Sequence, residues 1–148
     1  MQTTQHRLLT TGNIDGFVSA ILLKNLEMIS DVTFVEEKDV KSGKIAISKN
    51  DITVNLPYTK DAHQAYDYHD STSISSFIVN KHHILDTQAN SVAEILFTLY
   101  HDKFKENTQL ATLVQAANHE TAQTLTTKER MHVYEVYENT FQKQAIEA

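Results

Sequence analysis

The sequence predicts an α/β protein whose mainly parallel sheet is flanked by helices, with a helical carboxy-terminal part. Short strand-like runs alternate with helical periodicity through the first half of the chain. Polar residues collect where those runs end. From about residue 91 onward the periodicity is helical only.

Taken in order, residues 6–11 (HRLLTT) read as a strand, and Gly12-Asn13-Ile14-Asp15-Gly16 as a tight polar turn. Residues 17–29 follow as a helix, with Val18, Ile21, Leu22 and Ile29 on one stripe. Residues 32–35 read as a second strand and 36–44 as a charged connector. A third strand, 51–54, is stopped by Asn55-Leu56-Pro57; residues 65–68 and 77–79 read as a fourth and fifth. Ser91 and Glu94 have the spacing of a capping box, followed by Val92, Ile95, Leu96 and Leu99 on one face. A helix over 107–118 uses Leu110, Leu113, Val114 and Ala117. The last, over 127–143, starts at Thr126 with Glu129 and presents Val133, Val136, Tyr137 and Phe141.

The 148 residues, 41% hydrophobic and 22% charged, fit one domain with a real core, and residues 1–148 read as a single unit with no second domain. Cysteine is absent, which excludes disulfides, thiolate metal sites and thiol catalysis. No apolar run reaches the ~20 residues of a membrane span, and MQTTQHRLLT lacks a secretory pattern, so the expected setting is cytoplasmic, with no membrane partner. The net charge of −6, with Arg7 and Arg130 the only arginines, argues against general nucleic-acid binding. There is no Gly-x-Ser-x-Gly elbow, no P-loop and no His-Glu-x-x-His.

Ligands of parallel sheets bind outside the carboxyl ends of the strands. That picks Thr11 to Gly16, Asn55 to Tyr58 and Asp67 to Ser71, which read TGNIDG, NLPY and DYHDS. Spaced in this way, the three stretches resemble the motifs of the DHH phosphoesterase superfamily, above all its exopolyphosphatase-related branch. Asp15-Gly16-Phe17-Val18-Ser19-Ala20, Thr33 to Asp39, Asn50-Asp51-Ile52 and Ala89-Asn90-Ser91-Val92-Ala93 are similar to further segments of that branch, and the likeness runs over about residues 6–123 in pattern order.

The resemblance implies metal-dependent phosphohydrolase chemistry, usually with manganese, in which clustered carboxylates and a histidine hold ions that activate water. It also implies a degenerate pocket of Asn13, Asp15, Gly16, Asn55, Asp67, Tyr68 and His69. Asn13 stands where the family has its first carboxylate, and Tyr68 where it has a metal-binding histidine. His69 matches the histidine associated with substrate phosphate. Ala117 replaces a further carboxylate, leaving Asp15 and Asp67 as metal ligands only if an ion is retained, with His119 or Glu120 as compensators. The expectation is therefore no cofactor, or one weakly bound manganese or magnesium ion. The role expected is binding, regulation or assembly with impaired catalysis. The alternatives are an active divalent-metal phosphohydrolase of a small phosphoester or polyphosphate-like substrate, and a purely structural interaction module. A small phosphorylated ligand and a homodimer, joined through the final helix, are the expected partners.

The remaining histidines read as structural. Adjacent strand residues point to opposite faces, so His82 and His83 chelate poorly together and read as a solvated loop, with Lys81 at the surface. His63 points the same way as Asp67 on a regular strand. His6, His101 and His132 read as surface residues, and Tyr68 as a packed or pocket-filling ring.

Overall fold

The computed structural model describes residues 5–57, 59–69, 77–79 and 82–147, of which 77–79 and 142–147 as backbone alone. Tyr58, Asp70, Ser71 and Lys81 lie outside the described residues. The elements run β1 (His6–Thr10), α1 (Ile14–Asn25), β2 (Ile29–Phe34), α2 (Glu37–Lys41), β3 (Asp51–Val54), β4 (Gln64–Asp67), β5 (Phe77–Val79), β6 (His83–Asp86), α3 (Val92–Leu99), α4 (His101–Phe104), α5 (Thr108–Thr121) and α6 (Thr127–Glu147). One sheet, in the order β2-β1-β3-β4-β6-β5, holds five parallel strands and an antiparallel edge, β5 on β6. The α/β class and the mainly parallel sheet are as the sequence indicated.

Both faces of the sheet are covered, and the apolar residues of its inner strands divide between them. Leu8 faces the larger core with Ile52, Val54 and Tyr66, under α1, α3, α5 and α6. Leu9 faces a smaller cluster with Val35 and Leu56, against which Val40 of α2, Ile45 and Ile47 pack. Between β1 and β3, Arg7 and Asp51 are register partners, and the guanidinium meets the carboxylate at 2.8 and 3.0 Å. Burial pushes the Asp51 pKa up, but Arg7 and the Ser48 amide outweigh it and hold the group below its ordinary value.

Several boundaries differ from the sequence reading. The polar turn 12–16 contains the first turn of α1, because Asn13 Oδ1 accepts from the Gly16 amide at 2.8 Å and caps the helix. α1 ends at Asn25, and Ile29 opens β2 instead of closing the helix. The charged connector contains α2, while α4 links α3 to α5. His83 is a buried residue of β6, 5% exposed, instead of a loop residue, while His82 just outside the strand is exposed. His6 is half-buried and its ring stacks on His63. The apolar stripe of α6 is covered within the chain: Val133 is fully buried, and Tyr134 and Tyr137 meet Phe17 of α1 edge-on. No helix among the described residues is long and apolar enough to cross a membrane.

Candidate functional site: a cleft closed by helix amino ends

β1, β3 and β4 run parallel and end on the same edge of the sheet. Their exits carry Asn13 with Asp15, then Asn55, then Asp67 to His69. Gly16 lets the β1–α1 turn close tightly, since a Cβ there would collide with the Thr11 carbonyl oxygen.

Asp15 sits in the first turn of α1, 2% exposed, and both its oxygens are taken. Oδ2 accepts from Asn55 Nδ2 and from the Val92 amide, and Oδ1 from the Ala93 amide, each at 2.9 Å. Val92 and Ala93 open α3, so Asp15 acts as the anion on that helix's amino end. Burial pushes its pKa above the ordinary carboxylate value, and these three donors oppose the push. Asn55, at φ +64°, holds the left-handed conformation that Asn tolerates better than most residues. Its Oδ1 is buried without a hydrogen-bond partner among the described residues.

Glu120, near the end of α5, does for α1 what Asp15 does for α3. Its two oxygens accept from the Ile14 and Asp15 amides at 3.0 and 3.2 Å. Asn13 takes the next amide. Two helix amino ends therefore meet at the cleft, each stopped by a carboxylate of the same chain.

At the end of β4, Asp67 Oδ1 receives the amides of Tyr68 and His69 and lies 2.6 Å from His69 Nδ1. The Asp67 hydrogen bond raises the His69 pKa against the lowering effect of burial, with help from the charges of Asp67, Asp15 and Glu37. Tyr68 is half-buried between them, its hydroxyl 3.5 Å from Thr121 Oγ1. Burial raises its phenol pKa; the Thr121 contact opposes, and Asp15, Asp67 and Glu120 add to the rise.

The structure thus brings Asn13, Asp15, Gly16, Asn55, Asp67, Tyr68, His69 and Glu120 to one edge. It does not bring His119 there: His119 Nδ1 lies 2.6 Å from Glu129 Oε2 on α6. His63 sits at the opposite end of β4 from Asp67, stacked on His6. The amides of Ile14, Val92 and Ala93, and the charge of Glu37, belong to the cleft and were not singled out in the sequence. The Ser91–Glu94 spacing marked the start of α3 but not what faces it. The potential ligands are already engaged: Asn13 Oδ1, both oxygens of Asp15 and both of Glu120 hold backbone amides. Among the described residues, no three His, Asp or Glu side chains converge as an ion would need.

The site is thus built from two helix amino ends and a carboxylate–histidine pair at the carboxyl edge of a mainly parallel α/β sheet. No family model matches the chain, and no curated protein matches it. Among solved structures, the chain is similar to the pGpG-specific phosphodiesterase PggH from Vibrio cholerae, with 31% identity and a TM-score of 0.69 over 84% of this chain. It spans 40% of that protein's length.

Proposed function

We propose that the chain is a degenerate DHH-type phosphoesterase domain that binds a small phosphorylated ligand, in a regulatory or assembly role, without efficient hydrolysis of its own. One observation carries this reading. The carboxylates best placed to hold ions, Asp15 and Glu120, are engaged by the amino ends of α3 and α1. A carboxylate with its lone pairs on N–H donors is a poor ligand for a hard divalent ion. Asn13 and Tyr68 supply no charge at the remaining positions. The described residues do not fit a two-ion centre. At most one weakly held manganese or magnesium ion would fit this reading, with Asn55 Oδ1, buried without a hydrogen-bond partner among the described residues, as one candidate ligand.

The similarity to a phosphodiesterase supports a phosphoester ligand, and it also favours a second reading, an active metal-dependent phosphohydrolase. Calorimetric titration of manganese into the purified chain, with a hydrolysis assay on pGpG, separates the two. The expected result is weak or absent manganese binding and no turnover. Two tightly bound ions per chain with pGpG cleavage would replace this reading with the second.

A further inference from the structure

At the other end of β4 from the cleft lies a second cluster of titratable groups. The rings of His6 and His63 stack with centroids 3.9 Å apart and planes 14° from parallel. His82 Nδ1 lies 3.0 Å from the His63 carbonyl oxygen. His6 Nδ1 is buried without a hydrogen-bond partner among the described residues. Three imidazoles thereby join the starts of β1, β4 and β6. Backbone bonds meet at the same place: the His63 amide donates to Asp51 O, and the Ala65 amide to His82 O, both at 2.8 Å.

We infer that the stack of His63 on His6, tied to His82 through the His63 carbonyl, is an acid-sensitive latch, which joins the starts of three strands while the His63 ring is neutral and loosens when that ring is protonated. Stacking favours a neutral His63 ring, because two imidazolium ions at this separation repel, although His63 is exposed and only His6 half-buried. Among the described residues, the charged groups at this end are already engaged or stand exposed. Arg7 and Asp51 hold each other. Lys60 and Asp61 stand exposed on the preceding turn, and Glu27 on the turn before β2. His83, beside His82, is buried, and its pKa is lowered by burial against the pull of Asp67. His63 itself is held below its ordinary value by burial and then by the charges of His6 and His82.

The sign follows from linkage. A histidine whose folded pKa is depressed leaves stability intact above its unfolded value of 6.5. Stability is then lost as the pH falls from there through the folded value. The loss falls first on the strand starts, and so on β4, whose far end carries Asp67 and His69. Acid therefore loosens the strand that supplies the cleft's ion pair.

Amide hydrogen exchange, corrected for its intrinsic pH dependence, tests the latch at the His63 and Ala65 amides. Between about pH 7.5 and about pH 5.5, both should open several-fold more readily relative to the Leu9 and Ile52 amides of the central strands. In His63→Phe, which keeps a ring on His6 but cannot titrate, that acceleration should disappear. Equal acceleration in variant and wild type, or none in either, overturns the inference. The NMR titration of the wild-type His63 ring checks it without any variant: protonation at or above pH 6.5 would overturn it, and a lower midpoint supports it.

Discussion

Asp15 illustrates how one side chain can be legible in type and illegible in use. Its place after Asn13 and before Gly16 marks a strand exit, but nothing local says that its oxygens reach 77 and 78 residues along the chain to the start of α3. Asp15→Ala would leave two buried amides and the Asn55 side-chain amide unpaired. The expected loss is about 3 kcal/mol, read by urea denaturation in chelator. A residue kept only as a metal ligand would behave oppositely, because removing a buried charge would stabilise the metal-free fold. His69 offers a second test. Its pKa is raised chiefly by Asp67, so the pair's contribution is present below the unfolded value of 6.5 and is lost as the pH rises through the folded value. In Asp67→Asn the His69 ring should titrate lower than in wild type by NMR; an unchanged midpoint would separate the two residues.

The elements were legible where their signals are local. Ser91 with Glu94 and Thr126 with Glu129 do start α3 and α6: the Glu94 amide donates to Ser91 Oγ at 3.0 Å, and the Glu129 amide to Thr126 Oγ1 at 3.1 Å. The sequence places the start of α1 late because Asn13 also fits turn chemistry, although Asn is equally a strong helix cap. The sequence does not mark β6, because a pair of histidines suggests polarity, whereas the strand opens on a buried His83 and only His82, just before it, is exposed. Glu120 is the least legible case, since its role depends on where α5 ends relative to α1. Glu120→Ala should cost about 1 kcal/mol through loss of the α1 cap, with Glu120→Gln recovering part of it in the same denaturation assay.

At the scale of the whole molecule, β1 and β3 have to be kept in register. The Arg7–Asp51 pair does so from one edge, with Asp51 1% and Arg7 34% exposed at the side chain. Arg7→Met should cost about 2 kcal/mol, less than a fully buried pair because water still reaches Arg7. Since the Asp51 pKa is depressed, that stability is present above the unfolded value of 3.8 and falls away as the pH drops through the folded one. Thermal melts of Arg7→Met should therefore be less acid-sensitive below about pH 4 than those of wild type. The stripe of α6 offered by the sequence for contact between copies lies instead against α1, because helical periodicity gives the apolar face of a helix without saying which surface covers it.

The capping contacts of the cleft also have a connectivity of their own. α5 holds α1 through Glu120, and α1 holds α3 through Asp15. α3 returns to α5, since Ser91 Oγ donates to Asn118 Oδ1 at 2.6 Å and Asn118 Nδ2 to Glu94 at 3.2 Å. Three helices and three links make a closed circuit. Cutting any one link leaves an open path that still joins all three, whereas cutting two leaves one helix held by core packing alone. Damage to such a circuit compounds, so Glu120→Ala combined with Asn118→Ala should lose more stability than the two single variants summed, a coupling that a double-mutant cycle measures directly.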